Sequence, residues 1–316
     1  MGIKVFVDGQ EGTTGLQIHE LLARRSDVDV LRIAPELRKD NTERARLLNA
    51  ADVAFLCLPD AAAREAVALV NNSRTCVIDA STAHRTDAAW VFGLPELAPD
   101  QRDRLRSAKR ISNPGCHSTA FILLMRPLLD AGLIDADVRL SATSITGFSG
   151  GGRKMIEQYQ AQPLPQRLLA PRPYGLGLAH KHVPEMQVQS ALRVRPIFMP
   201  IVGNFYKGLS VSVPLHLGLL NKPIDPRQLH DALRQRYERE RFVKVMPFAD
   251  ASVLDEGYFD VQACNGTNRC ELFVFASGDQ AILMARLDNL GKGASGAAVQ
   301  SMNVHLGLDE GLGLIA

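Results

Sequence analysis

Residues 3–15, IKVFVDGQEGTTG, decide the fold of this chain. An apolar run typical of a buried strand leads into three glycines at the spacing G-x-x-G-x-x-G, and residues 13–25 then show the apolar spacing of a helix. Glycines at such a turn let the backbone approach a pyrophosphate, which the free N–H groups of the helix N-terminus face. A plain tight turn is the alternative. The residues predicted to bind a dinucleotide here are Gly9, Gly12, Thr13, Thr14 and Gly15.

The pattern that follows this turn alternates strands with helices. Continuous apolar runs predict further strands, and segments with helical spacing predict helices between them. The strands are 28–34, 53–59 and 75–81, and the helices are 41–50 and 60–72. Such alternation produces a parallel sheet with both faces covered. We therefore expect an α/β fold whose first part, residues 1–115, is a Rossmann-type domain.

The second part of the chain has a different pattern. A helix of about 18 residues is expected after Cys116, since its apolar content continues without a strand break. The expected strands are 138–147, 197–204, 208–217 and 271–289, the last with a turn at 277–280. This predicts an α+β substrate and dimerisation domain at 116–289, with a mixed or antiparallel sheet. The final helix, 294–308, is expected to return to the first domain, so that 290–316 joins it. A sheet-rich domain of this kind commonly pairs, so a homo-oligomer, either dimer or tetramer, is expected.

Composition excludes several classes of function. The 316 residues carry a net charge of +2 with no Lys/Arg block, which argues against nucleic-acid binding. We see no signal peptide and no apolar stretch of 18 residues, so a cytoplasmic protein without a membrane partner is expected. Five cysteines are an odd number, which argues against a disulfide framework. Cys57 and Cys76 are interpreted as packing residues, and 264–270 (CNGTNRC) as a hairpin and not a metal half-site.

Cys116 is the candidate nucleophile. In SNPGC, residues 112–116, a Pro-Gly turn precedes it and a buried helix follows, so the sulfur lies at a helix N-terminus. Backbone amides and the helix dipole favour a thiolate there. We expect it at the edge of a cleft between the two domains, and Asn113 is expected to orient a bound carbonyl. An inert turn residue is the alternative.

The sequence HKHVPE, residues 180–185, supplies a base for that thiol. His180 and His182 point in opposite directions if the segment is extended, so one of them is expected to reach the sulfur. His180 is taken as the stronger candidate. The spacing H-x-H-x-x-E leaves open a metal site that includes Glu185, and a structural histidine is a third possibility. We expect no bound metal.

Cations near these segments predict anionic ligands. The second strand is followed by Arg38 and Lys39 where an NAD-binding fold usually has an acidic residue, which favours the 2′-phosphate of NADP(H). A solvated loop is the alternative there. A second glycine loop at 146–154 and the end of a first-domain strand add cations that suit a phosphate or a carboxylate. Six residues are predicted to bind a small anionic substrate. They are Arg85, Asn113, Ser149, Arg153, Lys154 and Glu185.

Taken together, these motifs resemble the N-acetyl-gamma-glutamyl-phosphate reductase family in its short form, type 2. The resemblance covers essentially the whole chain and depends on the glycine loop and on six further motifs in the same order. They are FGLPE (92–96), SNPGC (112–116), SGGGRK (149–154), HKHVPE (180–185), VGNFYKG (202–208) and DNLGKGASGAAVQ (288–300). The sequence differs from the family at His117-Ser118-Thr119, where members often have Tyr-Pro-Thr, and in the glycine loop, where many have small apolar residues.

The resemblance implies an NADPH-dependent reductase of arginine biosynthesis that turns N-acetyl-L-glutamyl 5-phosphate into N-acetyl-L-glutamate 5-semialdehyde and phosphate. It implies that Cys116 is the nucleophile, that the HKH loop supplies the histidine, and that Asn289 and Lys292 lie near the nicotinamide. The alternatives are another acyl-phosphate reductase such as aspartate-semialdehyde dehydrogenase, a cofactor-free cysteine hydrolase, and a non-catalytic NADP-binding regulatory protein.

Overall fold

The computed structural model describes residues 2–316, and the chain divides into two units. The first contains the residues up to Gly115 together with Ala294–Ile315. The second contains Cys116–Gly293 together with Ala316. None of the helices in the described residues is long and apolar enough to cross a membrane.

The first unit is built on a six-stranded sheet in which every neighbouring pair is parallel. Its strands are β1 (Ile3–Asp8), β2 (Val28–Leu31), β3 (Val53–Leu56), β4 (Cys76–Asp79), β5 (Val91–Phe92) and β6 (Arg110–Ser112). They lie in the order β2-β1-β3-β4-β6-β5. Its helices up to Gly115 are α1 (Thr13–Leu22), α2 (Asn41–Ala50), α3 (Asp60–Ala68) and α4 (Gln101–Ser107). This confirms the predicted Rossmann-type parallel sheet.

Both faces of this sheet are covered, as the continuous apolar runs predicted. Alternate residues of β1 enter two different clusters, since Val5 and Val7 pack with Ile18 of α1, whereas Phe6 packs with Leu47 and Leu48 of α2. Strands buried on both faces show no alternation of polar residues. The predicted strands β2 and β3 are three residues too long at their carboxyl ends, because the apolar runs continue past the last paired residues, Leu31 and Leu56.

The second unit has a seven-stranded mixed sheet. Its helices are α5 (Cys116–Asp130), α6 (Gly152–Tyr159), α7 (Val183–Gln189) and α8 (Pro226–Tyr237). Its strands are β7 (Ser141–Gly147), β8 (Arg172–Pro173), β9 (Ile197–Gly203), β10 (Leu209–His216), β11 (Val243–Val245), β12 (Cys270–Ser277) and β13 (Gln280–Leu287). They lie in the order β11-β12-β13-β10-β7-β9-β8. The pairs β7–β9 and β11–β12 are parallel and the rest are antiparallel, which confirms the predicted mixed sheet.

Helices cover one face of this sheet and leave apolar side chains on the other. Helix α5 packs against β10 and β13, and α8 packs against β11 and β12. On the strands, exposed residues alternate with buried ones, and Ile145, Ile197, Met199 and Ile282 are each at least 38% exposed. The face that carries these four side chains is called the open face below.

The chain then returns to the first unit through a π-helical turn at Gly291–Ser295 and α9 (Gly296–His305). Helix α9 contacts α1 and α4, and its Ala298 and Met302 join the core cluster that contains Val5. The predicted hairpin at 264–270 is wrong. Residues 264–267 form a turn in which the Thr267 N–H donates to the Cys264 carbonyl, and Cys270 already begins β12.

Candidate active site

Cys116 is the first residue of α5, directly after the Pro-Gly turn that ends the first unit. The first N–H groups of a helix have no partner within it, and they carry the positive end of the helix dipole. The side chain is partly exposed, unlike Cys76, Cys264 and Cys270, which are buried. Burial raises the pKa of the Cys76 thiol to about 12, so that cysteine stays protonated at neutral pH. Cys116 therefore combines partial exposure with a helix N-terminus, two features that favour a thiolate.

His117, the next residue, belongs to a buried chain of hydrogen bonds. The Ser144 hydroxyl donates to the carbonyl of Ser210 at 2.8 Å, so its oxygen accepts the hydrogen bond from His117 Nδ1, also at 2.8 Å. Nδ1 therefore carries the proton. Burial lowers the pKa of His117 to about 3, and the positive charge of Lys181, or of His180 when it is protonated, acts in the same direction. The imidazole is neutral, and its Nε2 has a lone pair.

That lone pair faces the hydroxyl of Tyr174. The two atoms are 3.2 Å apart, and since His117 Nε2 has no proton, the Tyr174 hydroxyl donates. Burial, and after it the negative charge at Cys116, raises the pKa of Tyr174 above its usual value. A phenol whose ionisation is disfavoured by the thiolate of Cys116 lies within electrostatic range of the sulfur. Tyr174 therefore extends the hydrogen-bonded chain of His117, Ser144 and Ser210.

The histidines of the HKH loop lie beside these groups. One ring nitrogen of His182, one of His117 and the sulfur of Cys116 are all within 4.8 Å of one another. His182 is buried and is the residue before α7. The segment is not extended but turns, since the Val183 N–H donates to the carbonyl of His180. The two rings therefore lie together, 4.8 Å apart, instead of on opposite sides.

His180 has a defined tautomer as well. Its Nδ1 accepts a hydrogen bond from the backbone N–H of His182 at 3.2 Å. A neutral imidazole that accepts at Nδ1 carries its proton on Nε2. His180 is therefore a donor at Nε2, and a ring nitrogen of His182 lies within 4.8 Å of the Cys116 sulfur.

The loop before α9 passes directly against the thiol. A Cβ on Gly293 would lie 2.7 Å from the Cβ of Cys116, so a larger residue there would displace the cysteine. Asn289 ties two segments of the unit together, since its Oδ1 accepts from Gly208 N–H at 2.8 Å and its Nδ2 donates to Ser149 Oγ at 2.9 Å. Lys292 is completely buried, with its ammonium 5.8 Å from the ring centroid of Phe242. The structure thus places Asn289 and Lys292 inside the second unit.

The first glycine loop has the close packing that a pyrophosphate-binding turn requires. Gly9 has a φ of +87°, and a Cβ there would lie 2.3 Å from the carbonyl oxygen of Cys57. A Cβ on Gly15 would lie 2.5 Å from the carbonyl oxygen of Gly9. Gly12 is the residue before α1 and has no side chain that could cap the helix. The first N–H groups of α1 therefore receive no side-chain cap from it. These residues fit a dinucleotide phosphate.

Comparisons with known proteins agree with this arrangement. Residues 116–289 match the family model described as "Semialdehyde dehydrogenase, dimerisation domain", and residues 4–105 match "Semialdehyde dehydrogenase, NAD binding domain". A protein of Nostoc sp. named N-acetyl-gamma-glutamyl-phosphate reductase 2 is 48% identical, and the alignment covers 98% of this chain and 99% of the relative. A Burkholderia cenocepacia protein named N-acetyl-gamma-glutamyl-phosphate reductase is also 48% identical, over 96% and 97%. The chain belongs to the N-acetyl-gamma-glutamyl-phosphate reductase family.

Solved structures share the fold of this reductase family at low identity. Aspartate semialdehyde dehydrogenase II from Vibrio cholerae superposes with a TM-score of 0.72 at 18% identity, covering 97% of this chain and 99% of that one. Aspartate semialdehyde dehydrogenase from Francisella tularensis gives a TM-score of 0.73 at 15% identity, covering 96% and 99%. At these identities the likeness extends to the fold alone.

In this member of the reductase family, the predicted cofactor cations lie beside the glycine loop. The Arg38 guanidinium forms an ion pair with Glu11 of the loop, and its Nε donates to the carbonyl of Pro35 at 2.8 Å. Lys39 is exposed. The side chain of Glu11 is 59% exposed, so it points outward from the turn.

The predicted substrate residues are spread over both units. In the first unit, Arg85 is buried and donates to the carbonyl of Ala80, and Asn113 donates to the carbonyl of Ala294. The Oδ1 of Asn113 is buried and has no hydrogen-bond partner among the described residues. Such an acceptor is the kind of atom that a ligand or a water satisfies.

In the second unit, Ser149 is buried and held by Asn289, as described above. Arg153 is largely exposed and pairs with Glu157 at 2.7 Å, and Lys154 is exposed beside it. Glu185 is buried in α7. The predicted anion-binding cations of this loop therefore lie at the surface, whereas Ser149 and Glu185 lie inside the unit.

Sequence reasoning assigned no role to Tyr174, Ser144 or Gly293. Tyr174 stands six residues before His180 in a glycine-rich loop, and Gly293 lies in a conspicuous glycine motif, so the sequence contained a signal for both. Ser144 gave none, because its contact with His117 depends on how β7 pairs with β10.

Proposed function

We propose that this chain reduces N-acetyl-L-glutamyl 5-phosphate to N-acetyl-L-glutamate 5-semialdehyde and phosphate with NADP(H), in arginine biosynthesis. The observation that carries the proposal is the 48% identity over nearly the full length of both chains to proteins named for this reaction. Residues up to 115, with the C-terminal segment 290–316, are proposed to bind the cofactor, and residues 116–289 to perform the chemistry and to pair the subunits. The odd cysteine count and the intermediary metabolism involved favour a cytoplasmic location.

Cys116 is proposed as the nucleophile and His182 as its base. His182 presents a ring nitrogen within 4.8 Å of the sulfur, so it is positioned to take the thiol proton. The thiolate attacks the acyl carbon, the bond from that carbon to the phosphate oxygen breaks, and phosphate leaves with the electron pair. A thioester on Cys116 remains, and thioesters are electrophilic enough to be reduced to aldehydes.

The cofactor site is proposed at the first glycine loop. NADPH, when bound, supplies the hydride that reduces the thioester. Gly9, Gly12 and Gly15 leave room for the pyrophosphate, and the backbone N–H groups of Thr13 and Thr14 at the start of α1 bind it. Arg38 and Lys39 are proposed to bind the 2′-phosphate, for which Arg38 exchanges its partner Glu11.

His180 is proposed as the proton donor to the substrate oxygen. Because its Nδ1 accepts from the backbone, the neutral ring offers a proton only from Nε2. A donor beside the thiol stabilises the oxyanion that forms when the thioester is reduced. Its hydrogen bond to that oxygen weakens once the aldehyde carbonyl is restored. His180 and His182 therefore have different proposed roles, one at oxygen and one at sulfur.

Substrate recognition is proposed to use both buried and exposed polar groups. Asn113 offers an acceptor oxygen that suits the N–H of the acetamido group, and the guanidinium of Arg85 suits a carboxylate or phosphate. Ser149 and the surface cations Arg153 and Lys154 are proposed to attract the phosphate. Glu185, next to the HKH loop, is proposed as a further polar contact.

The second unit is proposed to form a homodimer through its open face. Ile145, Ile197, Met199 and Ile282 stand out from strands of one sheet, and a contiguous apolar surface of this kind normally lies in an interface. The open face also lies within residues 116–289, which match a dimerisation-domain model. Ile197→Asp places a charge at a side chain that is 59% exposed, and we expect monomers of unchanged fold by analytical ultracentrifugation and circular dichroism. A variant that remains a dimer would show that the open face is not the dimer interface.

The reaction is tested in reverse and by trapping. Purified protein should reduce NADP with N-acetylglutamate semialdehyde only when phosphate is present, and aspartate semialdehyde is the control substrate. Comparable rates with both aldehydes would contradict the proposed substrate. Wild type quenched with the acyl phosphate in the absence of NADPH should carry one acyl group on Cys116 by peptide mass spectrometry. An adduct on Cys57, or none in wild type, would contradict the thioester mechanism, and Cys116→Ser should carry none.

A further inference from the structure

Three metal-binding atoms converge at the thiol. The Cys116 sulfur, a nitrogen of His117 and a nitrogen of His182 are all within 4.8 Å of one another. In a tetrahedral zinc site with Zn–S of about 2.3 Å and Zn–N of about 2.0–2.1 Å, ligand atoms lie about 3.3–3.6 Å apart. Small side-chain rotations therefore bring all three onto one ion.

The chemistry of the three ligands selects the class of ion. A thiolate and imidazole nitrogens are ligands for zinc and similar thiophilic cations, not for magnesium or calcium, which prefer oxygen. Three protein ligands leave a fourth position for water, as in zinc sites that exchange their ligands. Both histidines are buried, so the ion would lie in a place of restricted solvent access.

The surroundings of His117 resemble those of a metal-bound histidine. Such histidines donate their second ring N–H to an oxygen, which fixes the ring and leaves the other nitrogen to the metal. His117 Nδ1 donates to Ser144, which in turn donates to the Ser210 carbonyl, so Nε2 has the lone pair. Tyr174, whose hydroxyl donates to Nε2 at 3.2 Å, turns away when the metal takes that lone pair.

We propose that Cys116, His117 and His182 form a reversible binding site for a zinc-class divalent cation. On binding, the thiol gives up its proton to solvent, the sulfur and two nitrogens donate electron pairs to the ion, and no oxidation takes place. If the proposed function holds, occupation of the site also stops turnover, since it takes the nucleophile and its base together.

The test measures metal binding without any reductase assay. Chelator-treated full-length protein is titrated with Co²⁺, followed by competition with Zn²⁺. We expect one ion per chain, with a thiolate-to-cobalt charge-transfer band and visible bands typical of four-coordination. Cys116→Ser should lose the charge-transfer band, and His182→Gln should weaken Zn²⁺ binding by at least about a hundredfold, the upper end of what a lost outer partner costs.

Two further variants separate this site from the neighbouring histidine. Ser144→Ala removes only the group that orients His117, and should weaken binding about tenfold. His180→Gln removes an adjacent imidazole but none of the three ligands, and should leave the affinity within about twofold, well below the tenfold effect of an outer partner. Equal losses in His180→Gln and His182→Gln, or a cobalt complex without a thiolate band, would overturn the proposal.

Wild-type protein gives an answer that does not depend on how variants fold. Zn²⁺ should slow the alkylation of Cys116 by iodoacetamide, located by peptide mass spectrometry, and EDTA should restore the rate. An unchanged rate at saturating Zn²⁺ would show that the ion does not bind the sulfur. If the protein binds cobalt but reduces no acyl phosphate, the metal site is supported and the proposed function is contradicted. If it reduces the acyl phosphate but binds no cobalt, the proposed function is supported and the metal site is contradicted.

Discussion

Replacement of Gly15 by alanine should damage both the stability of the first unit and its affinity for the cofactor. Gly15 lies in the first turn of α1, where an added Cβ would meet backbone and not a movable side chain. It would be 2.5 Å from the carbonyl oxygen of Gly9 and 3.0 Å from the Cα of Gln10. Backbone atoms of a tight turn yield only if the turn itself moves away from the helix.

The size of the effect follows from that overlap. Ordinary contacts begin near 3.4 Å, so helix and turn must separate by about 0.9 Å. Overpacking of this kind costs about 1–3 kcal/mol. In a unit of this size, each kcal/mol lowers the melting temperature by about 2–4 °C. The same movement displaces the N–H groups that are proposed to bind the pyrophosphate, so NADPH affinity should fall at least about tenfold, equivalent to about 1.4 kcal/mol.

Gly12→Ala is the matched variant in the same loop. Its Cβ would find the nearest atoms at 3.5 Å and 3.7 Å, which are ordinary contacts, and its φ of −72° suits alanine. Stability should therefore change by less than about 0.5 kcal/mol. NADPH affinity should still fall, because a methyl group would stand where the backbone is expected to approach the pyrophosphate.

Calorimetry and fluorescence titration with NADPH measure the two quantities separately. Gly218→Ala, at an exposed position in the second unit with its nearest contact at 3.6 Å, controls for loss of a glycine. If Gly15→Ala melts at the temperature of Gly12→Ala, the steric reasoning is wrong. If both variants bind NADPH as tightly as wild type, the loop is not the cofactor site.

Three further predictions concern charged and titrating groups. Arg38→Ala should raise the KM for NADPH more than that for NADH, and equal changes in the two would exclude a role at the 2′-phosphate. His182→Ala should slow alkylation of Cys116 at neutral pH, whereas His180→Ala should lower turnover by about 10²–10⁴ and leave alkylation unchanged; the reverse pattern would exchange their roles. Because the pKa of His117 falls from 6.5 to about 3 in the folded protein, its contribution to the unfolding free energy is complete above pH 6.5 and is lost as the pH falls toward 3. Urea titrations of wild type and His117→Gln should show a smaller acid loss in the variant, and parallel curves would contradict the burial argument.

The first unit was the easier half to predict, and the reason is physical. Each strand of a parallel sheet covered on both faces must be apolar along its whole length, so β1, β3 and β4 stand out as runs. Very short elements carry no such signal. β5 has two residues and β6 has three, and neither they nor α4 were recognised. Their positions are set by contacts with neighbours and not by local pattern.

The candidate site shows the same division between local and tertiary information. The position of Cys116 followed from a turn and a helix start, which are both written in consecutive residues. The relation of His182 to that sulfur did not, because an extended HKH segment and a turned one have the same sequence. The turn is held by the backbone hydrogen bond from the Val183 N–H to the His180 carbonyl, which does not depend on the side chain at position 180. Only the folded loop decides which histidine faces sulfur.

The state of His117 also depends on tertiary contacts that its neighbours in sequence do not reveal. His117 lies beside the thiol in sequence, and burial keeps its ring neutral down to about pH 3. Its proton is held at Nδ1 by Ser144, and that hydroxyl is directed by the Ser210 carbonyl of the neighbouring strand β10. A ring fixed in this way, with its pKa lowered to about 3, is expected to stay neutral near neutral pH. It presents one lone pair toward the Tyr174 hydroxyl, and beside a thiol a fixed lone pair is suited to hold a cation and not to exchange a proton.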